Sequence, residues 1–123
     1  MKKSLNIWLE KFGDAWCNKD IDLIMSLFDK ENITYFESVF NPPVISWREV
    51  KKLWEVVPIN QKDITFNYEI ISHSENQGIV NWKVSRLFIP TNENQEINGI
   101  FQIRLNKNNQ CIFFKQWRMT KIV

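Results

Sequence analysis

The sequence is short of the residues that most often announce a chemistry. Cys17 and Cys111 are its two cysteines; they stand far apart, neither belongs to a CxxC or Cys/His cluster, and both read as reduced, buried thiols with no metal to hold. His73 is the single histidine, set where a strand gives way to the polar turn Ser74-Glu75-Asn76-Gln77-Gly78, a solvated position to which no role is assigned. No run approaches the roughly 18 consecutive apolar residues of a membrane span, so membrane insertion is not expected. Basic blocks are absent as well: the net charge of +2 comes from Lys and Arg interspersed with Asp and Glu, which argues against a nucleic-acid partner. No organic cofactor is expected either. The opening Met1-Lys2-Lys3-Ser4 runs straight into charge-interrupted amphipathic sequence without an apolar targeting core, so a cytoplasmic location is expected.

Rings are what the sequence has in quantity. Six tryptophans and nine phenylalanines occur in 123 residues, the length of one domain with a continuous core, here residues 1–123. Large rings dominate cores, interfaces and ligand pockets alike, so the question is where they point.

Leu5, Trp8, Leu9, Phe12 and Trp16 recur at three- and four-residue spacing and predict a helix from Leu5 to Cys17. Asp20 can cap a second helix carrying Ile21, Ile24, Met25 and Phe28. Ile33-Thr34-Tyr35-Phe36-Glu37, rich in β-branched and aromatic residues, reads as a short strand. Asn41-Pro42-Pro43 ends it, and Ser46-Trp47-Arg48-Glu49 is a capping box opening a third helix that stops before Pro58. From Asp63 the apolar period changes to two, in segments Asp63–His73, Ile79–Ile89, Glu96–Leu105 and Cys111–Ile122 separated by polar turns. Helices followed by consecutive hairpins predict an α+β fold: three N-terminal helices packed on a strongly curved mixed or antiparallel sheet with an internal pocket.

This order of elements resembles the nuclear transport factor 2-like (NTF2-like) superfamily, and most closely its SnoaL-like branch. The resemblance is carried by Ala15-Trp16, Leu27-Phe28, Tyr35-Phe36-Glu37-Ser38-Val39-Phe40 leading into Pro42-Pro43, Trp54, Asn81-Trp82, Asn98-Gly99-Ile100-Phe101 and Gln116-Trp117, spread over almost the whole chain. It implies a cone-shaped body that serves isomerases, polyketide cyclases, dehydratases and plain binding modules alike. Compared with ketosteroid isomerase, Glu37 takes the place of the acidic base, whereas Phe12 and Phe101 stand where that enzyme has its oxyanion-hole Tyr and protonated Asp. Neither ring can donate a hydrogen bond. Each lost donor is worth about 3 kcal/mol in the transition state, so steroid isomerisation by that route is not expected.

Strand alternation puts Tyr35 and Glu37 on one side, as candidate catalytic residues. The candidate ligand-binding set is Trp16 and Trp54 from the helices and Trp82, Phe101, Phe113, Lys115 and Trp117 from the strands, with a bulge in the last strand the one feature that would move its phase by one. Desolvation among rings would raise the Glu37 pKa, and a nearby Lys115 would oppose that; the competing reading is a strand-end Glu37 salt-bridged to Lys115 or Arg118. Trp8 and Trp47 read as core. Arg86 and Arg104, on neighbouring strands, could steer a carboxylate ligand, although surface salt bridges are the commoner use of such residues. The expected ligand is a small apolar or mixed-polarity molecule, held by a cofactor-independent lyase, isomerase or cyclase, by a non-catalytic carrier, or by a dimeric interaction module. Both faces of the last strand carry apolar side chains, which favours a homodimer through the sheet.

Overall fold

The computed structural model describes residues 2–123. Helix α1, Lys2–Cys17, buries Leu5, Trp8, Leu9, Phe12 and Trp16 along one face, as the periodicity requires. Asp20 opens α2, Ile21–Ser26, by accepting the Leu23 backbone N–H at 3.1 Å. Strand β1 is Thr34–Phe36. The Ser46 hydroxyl caps α3, Trp47–Glu55, by accepting the Glu49 N–H at 3.4 Å, while the Glu49 carboxylate pairs with Lys52 at 3.2 Å. One further helical turn, α4, spans Val57–Asn60. The sequence reading ends the helical region before Pro58; the structure instead places Pro58 in the first turn of α4, where a missing N–H costs nothing because that donor has no intrahelical partner.

Strands β2 (Gln61–His73), β3 (Gln77–Phe88), β4 (Glu93–Leu105) and β5 (Cys111–Ile122) form an antiparallel meander, and β1 pairs in parallel with β5. The sheet is therefore mixed and unclosed, in the order β1-β5-β4-β3-β2. Strands of 12 and 13 residues are about twice the ordinary length, so the right-handed twist accumulates and coils the sheet around α1. Val80, Trp82 and Val84 of β3, Ile97, Phe101 and Ile103 of β4, and Phe114 of β5 face the helices and are buried.

Two bulges decide which side chains enter the interior. In β2 the register shifts between Lys62 and Thr65, with Asp63 in the left-handed region at φ 54°, so Gln61 and Ile64 both turn inward. In β5, Arg104 pairs with Phe113 but Leu105 pairs with Cys111, leaving Ile112 as an extra residue. A two-versus-one count flips the alternation beyond it. Cys111 points inward, and the inward set then continues as Phe114 and Gln116. Phe113, Lys115 and Trp117, expected in the pocket, therefore project from the opposite face of the sheet. There Lys115 Nζ lies 4.9 Å from the Trp117 ring centroid and 4.8 Å from that of Phe36.

Candidate functional site

A cavity of about 290 Å3 opens at one end of the cone, between α1, the α3–α4 corner and the inner face of the sheet. Its apolar wall comes from Phe12, Trp16, Trp54, Phe101 and Phe114. The rings brace one another: Trp16 and Trp54 meet edge to face at 5.3 Å, and Phe12 meets Phe101 the same way at 5.8 Å. The Trp16 indole N–H donates to the buried Gln61 carboxamide at 3.0 Å, a contact that depends on the β2 bulge. Tyr35, Glu37, Gln116, Arg118 and Arg86 supply the polar part.

Glu37 sits at the junction of the two regions. One carboxylate oxygen accepts from Gln116 Nε2 at 3.3 Å and the other from Arg118 Nη2 at 3.4 Å. Burial is the larger influence and lifts its pKa above the ordinary range, while the Arg118 guanidinium, by charge and by hydrogen bond, pulls it partly back. Of the two expected counter-ions, Arg118 forms the pair; Lys115 is on the other face. Burial first, then the Glu37 charge, hold the Tyr35 phenol well above its usual range, so it stays protonated and available as a donor. The buried Trp54 indole N–H lies close enough to the Tyr35 oxygen to lower that pKa slightly, although it makes no well-formed hydrogen bond.

The raised Glu37 pKa makes a stability prediction of definite sign. The folded state binds this proton more tightly than the unfolded chain, so the contribution is complete below the unfolded value and is lost as pH rises through the folded one. Urea unfolding from about pH 4 to about pH 8 should therefore show wild type losing stability relative to Glu37→Gln. A difference between the two that does not change with pH would mean that the carboxylate is effectively solvated.

The structure brings Trp16, Trp54, Phe101, Tyr35 and Glu37 together around one space. Trp82 lies one layer deeper, fully buried and stacked on Phe101 at 4.6 Å, beside Gly99, where a Cβ would collide with its indole and with the Trp117 carbonyl. Trp8 and Trp47 are structural as expected, their indoles donating to the carbonyls of Leu27 and Met25 at 2.9 and 3.0 Å. Sequence reasoning misses Gln61 as a functional candidate, and Gln116 too, and names Arg118 only as a counter-ion of Glu37. The signal for the last two was the β4–β5 register, since Phe101 faces Gln116 directly. A larger depression, about 600 Å3, lies on the outer sheet face among Thr65, Lys83, Ser85, Glu96 and Lys121. It has no aromatic wall, so the aromatic cavity is the stronger candidate.

No protein-family model matches the sequence, and no curated protein does. Solved structures do match. An epoxide hydrolase/cyclase-like enzyme, SalBIII, superposes with a TM-score of 0.83 at 15% identity over 99% of this chain and 97% of its own. An NTF2-like protein from Anabaena variabilis ATCC 29413 gives 0.80 at 10% identity, covering 95% of this chain and 87% of its own. An NTF2-like protein of unknown function from Exiguobacterium sp. 255-15 gives 0.75 at 18% identity over 91% and 98%. The fold is NTF2-like. The expected α+β cone is thus found, with its helices against one face of a curved, open, mixed sheet. In this NTF2-like cone, Phe12 and Phe101 take part in the aromatic wall and bring no hydrogen-bond donor to it.

Proposed function

We propose that the cone binds a small, largely apolar molecule between its rings and that Glu37 acts on it as general base, in a lyase, isomerase or cyclase reaction that needs no cofactor. The observation that carries this reading is a partly buried carboxylate, its pKa raised, beside a protonated phenol in one aromatic cavity. Each Glu37 oxygen keeps a free lone pair beyond its bond to Gln116 or Arg118, so the base can take a proton without losing its supports. In the simplest reaction, a C–H bond next to a carbonyl breaks, the proton passes to Glu37, and the electron pair moves onto the carbonyl oxygen. That oxygen accepts from the Tyr35 hydroxyl and the neighbouring Trp54 N–H, which stand in for the donors that Phe12 and Phe101 lack. Returning the proton to another carbon isomerises the substrate; expelling a group or closing a ring makes a lyase or cyclase. The fold shared with SalBIII, an enzyme with a role in pyran ring formation, supports chemistry on an organic substrate of this kind.

The test begins with mass-spectrometric identification of small molecules that co-purify with the protein or are captured from cell extract. The captured compound is then incubated in D2O with wild type and with Glu37→Gln. Deuterium incorporation that needs Glu37 supports catalysis; binding without any Glu37-dependent exchange or turnover makes the protein a carrier.

We also infer a homodimer through the outer sheet face. Trp117 and Met119 are 40% and 81% exposed there, and Phe40 is 92% exposed at its rim. Together with Val39 and Ile100 they border one shallow depression, an apolar patch of the kind that marks association. Sedimentation at about micromolar concentration should give twice the chain mass, and Trp117→Glu with Met119→Lys should reduce it to one. A wild-type monomer under these conditions would remove the dimer.

A further inference from the structure

The mouth of the cavity holds two guanidinium groups and one carboxylate. Arg118 is committed to Glu37 at 3.4 Å. Arg86 has no carboxylate partner among the described residues. Its Nε and Nη2 both donate to a single neutral atom, Gln95 Oε1, at 3.1 and 3.0 Å. Of its five donors, the other three have no protein acceptor among the described residues. The group is half-buried and lies over the Phe88 ring, 5.1 Å from the centroid, so it cannot swing out to solvent without giving up that packing. It also stands close enough to Arg118 to feel its positive charge.

This arrangement is unbalanced in one direction. A half-buried cation with three free N–H groups is poorly served by a neutral amide, and a second cation nearby makes it worse. The remedy is an anion, and a planar carboxylate matches the two-pronged geometry of a guanidinium best. The other end of the same cavity is aromatic and has its own donor in Trp54 Nε1, which makes no well-formed hydrogen bond. The volume, about ten water molecules' worth, suits one or two fused rings or a short branched chain.

We propose that Arg86 is a specificity-determining residue that receives an anionic head group, so the ligand class is a small amphipathic organic acid whose carboxylate lies at the mouth and whose apolar body lies between Trp16, Trp54 and Phe101. This rests on the reading of the cavity as a ligand site and narrows the ligand within it. It also gives a direction of entry, with the body inward beside Tyr35 and Glu37 and the charged end held outside the rings. Arg104, the other arginine noted in the sequence, takes no part, because it faces the outer side and lies over Phe113 at 5.0 Å.

The test uses two matched probes, 2-naphthoate and its uncharged isostere 2-naphthamide, titrated into the full chain by calorimetry. The expected result is at least about tenfold tighter binding of the acid. Arg86→Gln should remove that preference by weakening the acid about tenfold while leaving the amide within about twofold, and Arg86→Lys should restore part of it. Circular dichroism and melting temperature establish that each variant folds. Equal affinity for acid and amide in wild type, or an undiminished preference in Arg86→Gln, would overturn the anion assignment and leave the ligand site standing. Failure of both probes to bind would overturn the site reading together with it.

Discussion

Glu37→Gln should slow proton removal from the bound substrate by roughly a hundred- to ten-thousand-fold, the usual worth of a positioned general base. The substitution keeps the shape, and the amide oxygen can still accept from Gln116 or Arg118, so the cavity should keep its form. Ligand affinity is expected to be held or improved, because the change removes a negative charge and frees Arg118. The loss therefore falls on turnover and not on binding, the pattern of an interaction used in the transition state. Single-turnover deuterium exchange read beside equilibrium binding separates the two. Full activity in the variant would remove Glu37 from the chemistry, and a parallel loss of affinity would make it a binding residue instead. Tyr35→Phe gives a useful contrast: it removes only a donor, and a smaller loss of rate is expected with the same affinity profile.

Phe12→Ala should be the most damaging single change to stability, about 3–5 kcal/mol. Phe12 is fully buried on α1 and touches Trp8 at 5.0 Å, Trp54 at 5.4 Å, Phe66 and Phe101 at 5.8 Å, and Trp16 and Phe114 at 5.9 Å. Removing it unties the helix from the sheet and the core from the cavity wall at the same point. Against a typical total of about 5–15 kcal/mol, the variant would be marginal at body temperature. Urea unfolding measures the loss directly. An apolar void of this kind takes up benzene, so benzene should raise the melting temperature of the variant by clearly more than that of wild type. A cost below about 1 kcal/mol would mean that the surrounding rings collapse into the space.

Much of this architecture could be read from local signals. The α1 stripe, the Asp20 and Ser46 caps and the change from helical to strand period each rest on interactions within a few residues, so single-chain pattern reading captures them. Tyr35 and Glu37 both border the cavity, as alternation from β1 implies, although Glu37 lies one residue past its end. Pro58 misled because the same residue ends one helix and can begin another, and only the surrounding packing decides. The β5 face was misread for a non-local reason. Alternation counted forward from the buried Cys111 predicts Phe113, Lys115 and Trp117 inside, and only pairing with β4 reveals the extra Ile112. Arg118 then becomes the partner of Glu37, and Trp117 joins the outer face. Arg86 is legible in the sequence, but its lack of a salt-bridge partner is a fact of three dimensions.

The extra Ile112 makes β5 tolerant of a length change at one point and intolerant further along. Deleting its codon would leave Cys111 inward and Phe113 outward in strict alternation, so the bulge would vanish while Phe114, Gln116 and Arg118 kept their places at the cavity. Loss of a regular residue such as Lys115 would instead turn the rest of the strand over, bringing Trp117 inward and carrying Gln116 and Arg118 out. The bulge is thus a place where the gene can change length without changing the lining.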